Sequence, residues 1–153
     1  MPHIHEKIDF TVSIFIVRER KVLFILHKQL KRWLPIGGHI ELEEQPEEAA
    51  LREAKEESGL DVELIGERPS LKKEDGFIPL LGPAYLDIHR IQEPHWHIGM
   101  VYFARVRSGE TTLNREEHHD IQWLNEKDLD DPKWGLSKPL KFYAREALRK
   151  VQG

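Results

Sequence analysis

The sequence predicts an α+β fold, a mixed β-sheet with helices on its faces. Two observations lead there. Segments of strand character come before, between and after two helical segments, an order that favours a mixed sheet over separate all-β and all-α layers. Each helical segment also carries apolar residues at helical spacing, so each has one face to bury. The 153 residues are read as one domain, 1–153, long enough to bury roughly two-thirds of the unfolded surface in one core.

The elements follow in order. Ile8 to Val17 is β-branched and aromatic, and Val22 to His27 repeats that character after the charged break at 18–21, which reads as a hairpin. Residues 28–37 read as a loop closing on Pro35-Ile36-Gly37-Gly38, where paired glycines allow close backbone approach. Pro46 suits a first helical turn, and Glu47 and Glu48 favour its positive end. Ala50, Leu51, Ala54 and Ser58 form the expected buried stripe, and Gly59 supplies the stop. Asp61 to Ile65 is extended, and 66–83 is an irregular segment rich in Gly and Pro, long enough to be functional. Two strands, Tyr85 to Ile91 and His97 to Val106, are expected to join across Glu93-Pro94. Residues 107–120 read as loop, and Ile121 to Leu124 as a short strand. Ser137 to Val151 reads as a helix burying Leu140, Phe142, Tyr143, Ala147 and Leu148.

Composition narrows the function. A hydrophobic share of 39% with 33% charged residues fits a soluble globular chain, and a net charge of −4 offers no general attraction to nucleic acid or anionic membrane. The absence of cysteine excludes disulfides, thiolate metal sites and cysteine nucleophiles. The longest apolar run, Thr11 to Val17, is too short to span a bilayer, and the N-terminus carries no secretory pattern. An untargeted, cytoplasmic protein is the expectation.

The richest stretch is Gly38 to Leu60, GHIELEEQPEEAALREAKEESGL. Glu53, Glu56 and Glu57 stand at i, i+3 and i+4, so a helix gathers the three carboxylates on one side. Like charges so placed repel by a few tenths of a kcal/mol per exposed pair, and hard oxygen donors suit a divalent ion such as Mg2+ or Mn2+. An acidic helix alone is usually just solvated. Here Gly38, Glu44, Arg52, Glu53, Glu56, Glu57 and Gly59 sit at fixed offsets that match one window by chance about once in 10⁸.

That spacing resembles the Nudix box of the MutT-like Nudix hydrolases in full, and Leu34-Pro35-Ile36-Gly37-Gly38-His39 resembles its approach. The resemblance implies an α/β/α sandwich with a loop–helix–loop box held against a mixed sheet. It further implies metal-dependent hydrolysis of a nucleoside diphosphate-linked substrate, with water attacking a phosphorus and Mg2+ or Mn2+ as cofactor. Carried onto this chain, it makes Glu53, Glu56 and Glu57 metal ligands, with the Gly37 carbonyl a further oxygen and Glu53 or a neighbour polarising the water. Arg52 and Glu44 would pair to hold loop and helix in register, with Gly38 and Gly59 shaping the ends. Glu117, six residues before Trp123, matches a frequent family glutamate and would be a metal ligand or general base, with Glu116 as its alternative.

Outside the box the residues are less specific. His89 and His97 on the two strands after the irregular segment are candidates to bond phosphate or base; Asp87 with His89, and His95 with His97, share a strand face on which zinc is conceivable, with ordinary polar residues near a cleft rim the stronger reading. His118 and His119 read as exposed loop residues. Trp33 and Phe77 are candidates to stack on a base, with core packing the stronger reading for Trp33. The chain lacks the coenzyme-A and NADH subfamily signatures, which leaves nucleoside triphosphates, oxidised nucleotides or nucleotide sugars. The expected partner is a small nucleotide, and a homodimer is compatible with the reading. A non-catalytic nucleotide sensor on the same scaffold is the alternative; it would be expected to lose box acids, and none is lost.

Overall fold

The computed structural model describes residues 7–92 and 95–151. β1 (Ile8–Arg18) and β2 (Lys21–His27) form the expected hairpin, with Val17 facing Val22. Its two loop residues, Glu19 and Arg20, both take positive φ, 51° and 62°, which lets a two-residue turn follow the strands' twist.

Residues 28–37, expected as loop, contain strand instead. β3 (Trp33–Leu34) pairs with β2, and β4 (Ile36–His39) pairs with β1, from Thr11–His39 to Ile14–Ile36. Glycine is depleted in strands, so residue type argued against β4. What makes it a strand is tertiary: the β1–β2 rungs sit near the hairpin turn, leaving the Thr11–Ile14 stretch of β1 to be paired by a later segment.

α1 (Pro46–Ser58) begins and ends where expected. The Glu48 side chain accepts from the Gln45 amide at 2.9 Å, and Gly59 stops the helix at φ 78° while its amide bonds the Lys55 carbonyl. β5 (Asp61–Ile65) runs antiparallel to β7, as does β6 (Tyr85–Gln92). β7 (His95–Ser108) begins two residues before the expected start, carried by a parallel ladder with β1 that begins at Ile8–Trp96. β8 (His118–Leu124) begins three residues early because its antiparallel ladder with β2 reaches His27. Short 3₁₀ turns at 128–130 and 132–134 lead to α2 (Lys138–Lys150), whose Leu140 amide donates to the Ser137 hydroxyl.

The sheet is mixed, β3-β2-β1-β7-β5, with β4 on β1, β6 on β7 and β8 on β2. Strand alternation splits β1 between two cores. Val12, Ile14 and Ile16 pack with Ala49, Ala50 and Ala54 of α1, whereas Phe15 and Val17 pack with Ala144 and Ala147 of α2. One helix thus covers each face, as the α/β/α reading expects. Among the described residues no helix is long and apolar enough to cross a membrane.

Two expected core residues are not in it. Leu51 is 43% exposed and Phe142 51%. The buried stripe of α1 runs through Ala49, Ala50, Glu53, Ala54, Glu57 and Ser58, so two of the acids lie within the packed face itself.

The irregular segment 66–83 is tied to the first turn of α1. Glu47 accepts from both terminal nitrogens of Arg68, at 2.9 and 3.0 Å, and from the Leu81 amide, while Arg68 also reaches the Pro79 carbonyl at 2.8 Å. Glu47→Ala removes all three acceptor contacts. It is expected to lower stability by about 1–2 kcal/mol, part of the ion pair being solvent-screened, read as a lower urea midpoint at unchanged slope.

Candidate active site

The site is built where α1 meets β4. Glu53 and Glu57 are 6% and 5% exposed, while Glu56 faces outward. Glu57 is held at both oxygens: the Gly37 amide donates to Oε1 at 2.8 Å, and His118 Nε2 lies 2.7 Å from Oε2. Glu53 packs directly on Gly38. A methyl group placed there would stand 2.4 Å from Glu53 Oε1, so the absence of a side chain at 38 is what lets the carboxylate occupy its position.

Arg52 organises the acids. Its guanidinium takes Glu44 in a two-point grip, Nε to Oε2 at 2.6 Å and Nη2 to Oε1 at 2.9 Å. Nη2 also donates to the His39 carbonyl at 3.1 Å, and Nη1 reaches Glu53 Oε1 at 2.8 Å and Glu56 Oε2 at 3.2 Å. One side chain therefore joins the loop before α1, the end of β4 and two box acids. The contact with Glu44 holds that carboxyl below its usual range.

The electrostatics ask for a cation. Burial, then the neighbouring Glu57 charge, pushes the Glu53 carboxyl up to about 8 despite Arg52. Burial likewise raises Glu57, outweighing the His118 and Gly37 contacts. Two buried carboxylates that resist ionisation, with a third exposed on the same helix, offer hard oxygen donors of the kind that suit a divalent ion. Such an ion would be held by Glu53, Glu56 and Glu57.

His118 departs from expectation. It is 1% exposed rather than a loop residue, and its Nδ1 has no hydrogen-bond partner among the described residues. Glu117, exposed beside it, has Oε2 at 3.8 Å from His118 Nε2, and Glu57, Glu117 and His118 each offer a ligand atom within 4.8 Å of the others. No local pattern marks His118; only the β2–β8 ladder carries it under α1.

The remaining expected residues fall elsewhere. Gly37 meets the site through its amide. Trp33 packs edge-to-face on Trp134 at 4.9 Å, in keeping with the packing reading. Phe77 is exposed, in a tight bridge with Glu74. His89 and His97 lie in a separate cluster with Asp9, His39 and His95, on the sheet face covered by α2. Glu93-Pro94 is outside the described residues.

Two outcomes follow from this geometry. A carboxyl raised from 4.5 to about 8 binds its proton more tightly folded than unfolded, so the metal-free fold loses stability as pH rises between those values, and Glu57 adds the same sign. Urea midpoints in chelator are expected to fall from pH 5 to 8, the stability lost being on the order of a few kcal/mol at most, and Glu53→Gln is expected to flatten the slope. A metal-free stability that climbs over that window would contradict the assignment. Gly38→Ala is expected to fold, because the clash is with a movable side chain, but to weaken Mn2+ binding by displacing Glu53, read by titration calorimetry beside a circular-dichroism check.

Comparison with known proteins agrees with this geometry. The NUDIX domain family model matches residues 7–148. A NUDIX-family hydrolase from Clostridium perfringens superposes with a TM-score of 0.84 at 40% identity, covering 94% of this chain and 98% of that one. A probable DHNTP pyrophosphohydrolase from Lactococcus lactis is 28% identical over 110 residues, 72% of this chain and 61% of the relative. The Xenopus laevis m7GpppN-mRNA hydrolase NUDT17 is 42% identical over 85 residues, 56% of this chain and 26% of the relative. The chain thus spans less than two-thirds of either relative's length. Buried box acids braced by Arg52 and a family match over nearly the whole chain lead to one assignment: this chain belongs to the Nudix family.

Proposed function

We propose that this protein hydrolyses a nucleoside diphosphate-linked substrate, a nucleoside triphosphate, oxidised nucleotide or nucleotide sugar, using Mg2+ or Mn2+. The observation that carries the reading is the burial of Glu53 and Glu57 against the glycines of β4, with both carboxyls raised above their ordinary range. Family membership supports a phosphoanhydride as the bond cleaved, and the names of the two relatives, a pyrophosphohydrolase and an mRNA cap hydrolase, describe reactions of that class.

A diphosphate resists attack because its own oxygens repel an incoming hydroxide. The bound cation would supply charge neutralisation and a more acidic water. The chain's residues do the rest. Arg52 keeps Glu53 and Glu56 convergent while anchoring the loop through Glu44. His118 and the Gly37 amide fix the Glu57 carboxylate in one orientation, sparing it reorganisation as substrate charge builds. Glu117, exposed at the mouth of the pair, is the proposed extra ligand or proton acceptor.

The test is a panel of nucleoside triphosphates, oxidised nucleotides and nucleotide sugars with Mg2+ or Mn2+, both products read by mass. Hydrolysis is expected to stop in excess chelator. Glu57→Gln is expected to lower kcat/KM by at least about 100-fold, the upper end for losing a residue that merely supports a metal ligand. Wild-type turnover by that variant, or in chelator, would sink the proposal.

A further inference from the structure

A group of metal-binding side chains stands apart from the box. On the sheet face covered by α2, parallel pairing sets Asp9 of β1 beside His97 of β7, and His95 lies one alternation away on the same side. Asp9 and His95 are buried, and His97 is half-buried. Asp9 Oδ2 lies 2.9 Å from His95 Nε2, and one ligand atom from each of Asp9, His95 and His97 falls within 4.8 Å of the other two. From the neighbouring strand β4, His39 Nε2 comes within 3.2 Å of the same Asp9 oxygen.

We infer that Asp9, His95 and His97 form a binding site for a divalent transition metal of the zinc class, separate from the box acids. Tetrahedral zinc with ligands at about 2.0–2.1 Å holds its ligand atoms about 3.3–3.4 Å apart, so the hydrogen-bonded Asp9–His95 pair at 2.9 Å opens by about half an ångström to admit the ion while His97 closes in from within 4.8 Å. Imidazole nitrogens with one carboxylate suit zinc, cobalt and similar borderline ions, whereas the carboxylate set of α1 suits harder Mg2+ or Mn2+. The ligands also sit on two hydrogen-bonded strands, so little chain entropy remains to be lost on binding. Three protein ligands leave a fourth position for water or for His39.

His39 gives the site a route to the box. It follows Gly38 directly, and its carbonyl accepts from Arg52 Nη2. A metal drawing on Asp9 would therefore alter the hydrogen bonding of the residue that ends β4.

Cobalt distinguishes the two sites, because Co2+ in a tetrahedral nitrogen–oxygen field absorbs visible light far more strongly than in an octahedral oxygen field. The chelator-treated full chain is titrated with Co2+, then with excess Zn2+ or Mg2+. A tetrahedral spectrum is expected in the wild type and in Glu53→Gln/Glu57→Gln, displaced by Zn2+ but not by Mg2+. In folded His97→Asn the affinity is expected to drop by about tenfold or more. No tetrahedral spectrum in the wild type, its loss with the box acids, or an unchanged cobalt affinity in His97→Asn would overturn the assignment. Should His97→Asn not fold, the wild-type and box-variant spectra still decide. The readout is independent of turnover, so it stands or falls apart from the proposed hydrolysis.

Discussion

The packing of two like-charged carboxylates into the seam between α1 and β4 is the constraint on which the rest depends. Glu53 and Glu57 occupy positions on α1 that an ordinary amphipathic helix would fill with apolar side chains. Burying a carboxylate is costly unless it is paired or hydrogen-bonded, and here almost every nearby feature answers that cost. Arg52 grips Glu53, the Gly37 amide and His118 hold Glu57, and the bare backbone at Gly38 leaves room for the Glu53 head group. What these contacts leave uncompensated is the burial of the Glu53 carboxyl and, after it, the neighbouring Glu57 charge, which together push Glu53 up to about 8.

The same arrangement explains the division of labour across the sheet. The face under α1 carries oxygen donors at the end of the helix, and the face under α2 carries imidazoles around Asp9. β1 separates them by alternation: Val12 and Ile14 point to one core, Asp9 and Thr11 to the opposite face. β4 touches both. Gly38 meets Glu53, and His39, one residue on, meets Asp9 on the other side. A four-residue strand whose residue types disfavour strand formation thereby becomes the element common to the two side-chain clusters.

Much of this was legible from residue types. Helical spacing placed Glu53, Glu56 and Glu57 on one side, because a helix converts sequence offsets into faces without help from the rest of the chain, while the Arg52–Glu44 pair came only from the family resemblance. Long-range pairing was not legible. His118 looked like loop because 107–120 is polar, yet the β2 ladder extends β8 back to it and places its ring on Glu57. Asp9 carried one overlooked signal, an acid inside a β-branched strand, since a buried carboxylate in such a place needs partners. Leu51 and Phe142 misled in the other direction: both are exposed, because the buried stripe of α1 runs through Ala50, Glu53, Ala54 and Glu57 and that of α2 through Ala144 and Ala147.

The sequence by itself determined the local devices: the helix from Pro46 to the left-handed Gly59, the placement of the box acids on that helix and the strand character of β1, β2 and β7. Each depends on residues near one another along the chain, where helix and strand geometry fix the outcome. Only the tertiary structure decided which strands pair, and therefore that 33–39 is sheet, that His118 is buried and that Asp9 meets His39, His95 and His97. Those outcomes rest on backbone hydrogen bonds between distant segments, and a backbone donor or acceptor carries no mark of its partner in the side-chain alphabet.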